Sequence, residues 1–130
     1  MILKFFAAIA SYAILDFFWL GFVMKSFYIK TLGPLANLTA DKSSFLINKP
    51  AGAITYIIMA LGLIAFPVAR AQSLTQAALY GALYGLVIYG VYDFTNMTTL
   101  RGWTWQLSMT DLFWGIVASA ITTAVVWSLR

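Results

Sequence analysis

Cysteine and histidine are both absent from this 130-residue chain, and only 9% of its residues are charged. Without cysteine there is no disulfide framework and no thiolate site. Without histidine, zinc, haem and triad chemistry lose their usual ligand or base. The expectation is therefore no metal and no cofactor. Soluble domains carry about 25% charged residues, so a soluble fold could not cover a chain that is 62% hydrophobic. The formal charge of +4 favours anionic lipid headgroups. Its lysines and arginines flank apolar runs as ordinary membrane anchors, so nucleic acid is not an expected partner.

The gaps between charges carry the fold. Uncharged runs cover 50–69, 71–92 and 112–129, and 5–24 is broken only by Asp16. A helix needs about 20 residues to cross a hydrocarbon core of about 30 Å. Four spans fit, at about 2–27, 50–69, 74–93 and 108–129. Open backbone groups cannot be satisfied in hydrocarbon and no dyad alternation suggests a barrel. The expected fold class is all-α, an integral membrane four-helix transmembrane bundle forming one transmembrane domain over 1–130. The lysine before the first apolar run resembles a signal peptide. Its length, Asp16 and the lack of a small-x-small cleavage site favour a permanent helix.

In the first span, Lys4, Ala8, Tyr12, Asp16 and Leu20 share one helical face. Asp16 falls near mid-membrane, where a bare carboxylate costs at least ~2.5–3.5 kcal/mol. It must face the bundle, a watery cavity or a partner, or take up a proton. It reads either as a proton- or substrate-binding carboxyl or as a polar pin between helices. Residues 28–49 form the longest connection, with Gly33-Pro34 ending any extension of the first span. The second span starts at Pro50, is ended or kinked by Pro67, and has little polar content beyond Thr55 and Tyr56, so packing is its expected role.

The third span opens with Ser73-Leu74-Thr75-Gln76, the spacing of a capping box, and continues with a small-xxx-small row, Ala77, Gly81 and Gly85, suited to close helix packing. Tyr80, Tyr84, Tyr89 and Tyr92 make it rich in phenols. In the fourth span Asp111, Gly115, Ser119 and Thr123 share one face, expected to turn inward. Ser108-x-x-Asp111 also fits a capping box at a helix start, the plainer reading of Asp111.

Polar chemistry concentrates between Tyr92 and Trp114, which holds two of the four acidic residues and three of the five tryptophans. Four spans put both termini and the 70–73 turn on one side of the membrane, side one. The 28–49 and 94–107 connections lie on side two. The expectation is a funnel opening on side two, with Asp93, Arg101 and Asp111 at its rim, Tyr92, Asn96 and Trp103 around them, and Asp16, flanked by Tyr12 and Trp19, at its floor. Lys4, Arg70 and Arg130 lie on side one, against Lys25, Lys30, Lys42, Lys49 and Arg101 on side two. The positive-inside rule then puts side two in the cytoplasm and the termini outside it. A short echo, Asp16-Phe17-Phe18-Trp19-Leu20-Gly21 against Asp111-Leu112-Phe113-Trp114-Gly115, links the first and last spans, which run in opposite directions as an inverted repeat requires.

The motifs Asp16-x-x-Trp19-Leu20-Gly21, Phe27-Tyr28-x-x-x-Leu32-Gly33 and Tyr92-Asp93-Phe94-Thr95-Asn96-x-x-Thr99-Leu100-x-x-Trp103 resemble a bacterial membrane-protein family, domain of unknown function 2177. The resemblance covers nearly the whole chain. It implies a four-span protein of the bacterial inner membrane and no established activity, so no catalytic residue is carried over. In architecture alone the chain is also similar to the small multidrug resistance transporters, with an acid in span one and a glycine-rich span three. The rim charges and the long first connection depart from that plan.

Three functions compete. The first is binding or transport of a small amphipathic or lipid-like molecule, linked to a proton or cation at Asp16. The second is a lipid-headgroup enzyme using Asp93 and Asp111 as acid/base groups or divalent-metal ligands, a weak metal signature at eighteen residues apart, with Arg101 as an anion clamp. The third is a non-catalytic subunit docking on itself or another protein through Ala77, Gly81 and Gly85. Gly115 and Ser119, on the inward stripe of the fourth span, are further expected packing positions. Membrane lipids and a homodimer are compatible with all three.

Overall fold

The uncharged runs become helices in a computed structural model that describes residues 1–129. Helix α1, Ile2–Phe18, continues through a π-helical turn at Trp19–Val23. The chain bends at Met24 into a short helix α2, Lys25–Leu32, closed by Gly33 at φ 51°. Helix α3 is Lys49–Leu63, followed by a π-helical turn at Ile64–Val68; α4 is Leu74–Thr99 and α5 is Trp105–Ser128. Four of these helical segments are long and apolar enough to cross a membrane: Ile2–Val23, Lys49–Val68, Leu74–Thr99 and Trp105–Ser128. Among the described residues there is no strand, only an isolated antiparallel bridge between Leu38 and Phe45 in the 36–48 connection. The protein is an all-α membrane helical bundle.

Local chemistry fixes the helix ends. Asn48 caps α3 by accepting from the Ala51 amide at 3.2 Å, so α3 starts at Lys49, one residue ahead of Pro50. Pro67 has no N–H to continue the ladder, and it sits inside the π turn that ends this span. Ser73 Oγ accepts from the Gln76 amide at 3.2 Å, while Gln76 Oε1 accepts from the amide of Gln72 rather than that of Ser73. Three boundaries differ from the sequence expectation. The first span breaks at Met24, because the lysine-bearing segment from Lys25 onward folds as a separate helix. Helix α4 runs six residues past Asp93, and in these last turns Thr98 and Thr99 return their hydroxyls to the carbonyls of Phe94 and Thr95. Helix α5 starts at Trp105, capped by Thr104 Oγ1 on the Leu107 amide, so Ser108 and Asp111 lie inside the helix and do not cap it.

Helix α5 is central. It packs along α4, along α1 and against the π turn that follows α3. The α4–α5 contact is close because Gly81 and Gly85 meet Ser119, Thr123 and Gly115 with no room for a side chain. A Cβ on Gly81 would fall on Thr123 and the Ser119 carbonyl, and one on Gly85 on the Gly115 carbonyl. Such approach substitutes dispersion contacts for the hydrophobic drive that lipid removes. It also corrects one expectation: the Ala77, Gly81 and Gly85 row is occupied within the chain and is not free to dock a partner. The core joins Ala8 and Tyr12 of α1, Met59, Ala60 and Leu63 of α3, and Trp114, Ala118 and Val126 of α5. Outward faces carry Phe6, Phe17, Phe22, Ile58, Leu61, Leu79, Leu83 and Phe113, the surface a lipid-embedded bundle presents. On side one, Trp127 Nε1 donates to the Ala71 carbonyl at 2.9 Å, tying α5 to the α3–α4 turn.

Candidate functional site

Antiparallel packing of α1 on α5 aligns their polar faces into one seam. Starting from side one, Ser11 Oγ and Thr122 Oγ1 lie 3.0 Å apart, and the Tyr12 hydroxyl donates to Ser119 Oγ at 2.8 Å. One turn on, Asp16 faces the bundle, and its two carboxylate oxygens accept from different helices. Trp114 Nε1 on α5 donates to Oδ1 at 2.8 Å, and the Tyr56 hydroxyl on α3 donates to Oδ2 at 2.8 Å. Three helices thus meet on one carboxyl.

Beyond Asp16 the two Asp-x-x-Trp motifs cross. The indoles of Trp19 and Trp114 stack with centroids 4.5 Å apart and planes 2° from parallel. Trp114 donates to Asp16, the acid of the other motif. Trp19 reaches Asp111 through a phenol: its Nε1 donates to the Tyr28 hydroxyl at 3.1 Å, and that hydroxyl donates to Asp111 Oδ1 at 2.8 Å. The π turn at Trp19–Val23 sits at this crossing. Such turns often mark functional positions. Burial, with the Asp111 carboxyl beside it, holds the Tyr28 phenol well above its ordinary range, so it remains a donor.

Asp93 comes next, on α4. It is 0% exposed and lies beside the Asp111 carboxyl, yet neither of its oxygens has a hydrogen-bond partner. The nearby indole of Trp103 directs its N–H to Ser108 Oγ at 3.0 Å. Trp103 also packs edge-on against Tyr92, centroids 5.8 Å apart.

The structure brings Tyr12, Asp16, Trp19, Asp93 and Asp111 into one seam, with Trp103 at its border. It corrects the rim. Asp93 is fully buried and does not sit at a mouth, because α4 carries it into the contact with α5. Arg101 is exposed in the turn before α5, Tyr92 is largely exposed, and Asn96 is half-buried one turn further along α4. Sequence reasoning missed three partners, namely Tyr28, Tyr56 and Trp114. The available signals were the lone phenol of an otherwise apolar span, at Tyr56, and a tryptophan three residues after each of Asp16 and Asp111.

Among the described residues no basic side chain donates to Asp16, Asp93 or Asp111, and no group of three potential metal ligands occurs. The seam is therefore acidic, aromatic and without an internal counter-charge. Two open grooves, of about 860 and 340 Å³, lie on the side-two surface around Lys30. None of the three acids lines either groove. Asp41, in the 36–48 connection, is held by Thr39 and Ser43, and these hydrogen bonds lower its carboxyl to about 2. It is a turn-forming residue remote from the seam.

A family model described as a predicted membrane protein, DUF2177, matches residues 1–128. The chain belongs to that family. No curated protein and no solved structure matches it. DUF2177 membership and the four apolar helices agree on a membrane protein. The acidic seam joins the Asp16, Tyr28 and Tyr92-Asp93 motifs that carried the resemblance.

Proposed function

We propose that this membrane protein binds, and carries across the bilayer, a small amphipathic molecule with a positively charged head, exchanging it against a proton at Asp16. The observation that supports this reading most is the environment of Asp16. Trp114 and Tyr56 stabilise its charge through neutral donors but do not cancel it. A net negative charge left at mid-membrane costs at least ~2.5–3.5 kcal/mol. A proton cancels it, and so does a cationic headgroup, for which the indoles of Trp19 and Trp114 supply adjoining aromatic surface.

Because α1, α3 and α5 all meet on this carboxyl, replacing its proton by a bulkier cation changes contacts on three helices together. Such shared contact is what coupling an ion to a conformational change requires. Asp16 and Asp111 are half-buried, so an amphiphile reaches the seam from the bilayer side. We place the protein in the bacterial inner membrane with side two cytoplasmic. Five lysines and arginines on that side against three on the other support this orientation. Arg130, one of the three, lies outside the described residues.

The test is uptake of a fluorescent lipophilic cation of the rhodamine type into proteoliposomes under an imposed pH gradient. The expected result is gradient-driven uptake that falls to the protein-free level in Asp16→Asn, with no uptake of an anionic dye of similar size. Unchanged uptake in Asp16→Asn, or equal uptake of both dyes, would remove Asp16 from this role.

A further inference from the structure

Asp93 is the group that the reading above does not use. Fully buried carboxylates are tolerated when they are paired or hydrogen-bonded, and Asp93 is neither. The groups that face it are few. From α5 comes Asp111; from α2 comes Tyr28, whose hydroxyl is directed at Asp111; from α4 itself comes Tyr92; and from the turn before α5 comes the uncharged indole of Trp103, whose N–H goes to Ser108. Asp16 on α1 acts on Asp111 from further along the seam, and Arg101 is exposed in the turn outside. Every charged group around Asp93 in the seam is thus another acid.

Two ionised carboxylates have no hydrogen to share, since each is an acceptor only. A single proton changes that, turning one group into an O–H donor to the other and satisfying both. We infer that Asp93 and Asp111 form a second, separate ion site, binding one exchangeable proton between their carboxyls at neutral pH. The donor set favours a proton over a metal cation. Asp111 Oδ1 already accepts from Tyr28, and the Tyr28 oxygen already accepts from Trp19. Three free carboxylate oxygens then remain, whereas a hard divalent cation such as Ca²⁺ takes about 6–8 oxygen ligands and Mg²⁺ about six.

The site also explains why α4 keeps an acid on its packed face. With the proton present, Asp93 to Asp111 becomes the hydrogen bond joining α4 to α5 and, through Tyr28, to α2. With the proton gone, two like charges confront each other across the same helix contact. The expected consequence is loosening of α4 from α5 at the side-two end alone, while the contact through Gly81 and Gly85 stays closed.

The chain suits a direct test, because its only acidic side chains are Asp16, Asp41, Asp93 and Asp111. Carboxyl-carbon NMR of the full chain, labelled with 13C at the aspartate side-chain carboxyl and held in lipid nanodiscs, therefore gives four side-chain signals. Asp93→Asn and Asp111→Asn assign two of them. At neutral pH in the wild type, the Asp93 and Asp111 signals are expected to report one proton between them. Each should titrate in two steps as the shared proton is lost and gained. Either substitution should collapse the remaining partner's curve to one step and leave the Asp16 curve in place. Both signals fully ionised at neutral pH in the wild type, each with a single step, would overturn the inference without any variant having to fold. So would titrations that move when sodium or magnesium replaces potassium, since a metal ion would then own the site. Asp16→Asn leaves the two-step behaviour of the pair intact, which separates failure here from failure of the role proposed for Asp16.

Discussion

Asp16 and Asp93 are both acids inside the same bundle, and the chain treats them oppositely. Asp16 accepts one hydrogen bond from α3 and one from α5, while Asp93 is more deeply buried and accepts none. The difference is one of neighbours. The α1–α5 seam supplies an indole and a phenol, whose bodies suit hydrocarbon and whose tips donate. The α4–α5 contact is built from glycines and small hydroxyl residues. Thr123 Oγ1 there returns its hydrogen to the Ser119 carbonyl on its own helix, at 2.7 Å. A carboxyl on the first surface is solvated by protein. One on the second lies beside another carboxyl, and the nearby Trp103 N–H is directed to Ser108 instead.

The largest effect should come from separating the two regions. Gly85→Leu pushes α4 off the Gly115 backbone and carries Asp93 away from Asp111, while the donors to Asp16 sit on α3 and α5. A loss of about 3 kcal/mol or more is expected from reversible unfolding in mild detergent. The near-ultraviolet signal of the Trp19–Trp114 stack should survive up to the transition. A Gly85→Leu protein as stable as the parent would show that α4 does not approach α5 this closely.

Next comes the direct contrast between the acids. Asp16→Leu strands the Trp114 N–H and the Tyr56 hydroxyl, and should cost about 2–4 kcal/mol of folding stability. Asp93→Leu strands no protein donor, because Tyr28 still donates to Asp111, and removes only the one hydrogen bond of the shared proton, so it should cost no more than about 1 kcal/mol. Equal losses from the two substitutions would erase the comparison.

Tyr28→Phe is smaller again, at about 1–1.5 kcal/mol, because it deletes one hydrogen bond to Asp111 and one from Trp19. Indole N–H exchange at Trp19 should quicken while that at Trp114 stays slow. Matched quickening at both would mean that the crossed motifs respond as one unit.

The smallest effect lies outside the membrane. The folded Asp41 carboxyl sits at about 2, below the ordinary value of about 3.9. Its contribution is therefore present above the ordinary value and is lost as pH falls through about 2. Amide protection around Thr39 and Ser43, taken relative to intrinsic exchange, should fall over that window, and Asp41→Ala should lack that protection at neutral pH and converge with the parent at the acid end. Protection in the parent that stays unchanged down to the lower limit would contradict this.

The sequence was informative where composition decides structure. Uncharged runs bounded by charged residues specify membrane helices almost by length alone, and the Ser73 cap was legible because its spacing leaves little choice. The end of α4 was not legible. Thr95, Asn96, Thr98 and Thr99 are as much at home in a turn as in a helix, and nothing in their spacing marks Leu100 as the end. The rim failed for a related reason. Asp93 reads as an acid at the membrane boundary, and its burial is decided only when the Gly81 and Gly85 row brings α5 against it. Tyr28 and Tyr56 were hidden because a phenol's direction depends on which helix stands opposite. The i+4 row through Tyr12 and Asp16 was readable, since one helix fixes which residues share a face.

Proton release on cation binding tests the exchange at Asp16 most directly. Calorimetry of a rhodamine-type lipophilic cation binding to the protein in nanodiscs, run in two buffers of different ionisation enthalpy, counts that proton. Starting below the Asp16 titration, about one proton released per cation bound, and none in Asp16→Asn, is the expected result. Binding without proton release in the wild type, or the same release in Asp16→Asn, would contradict it.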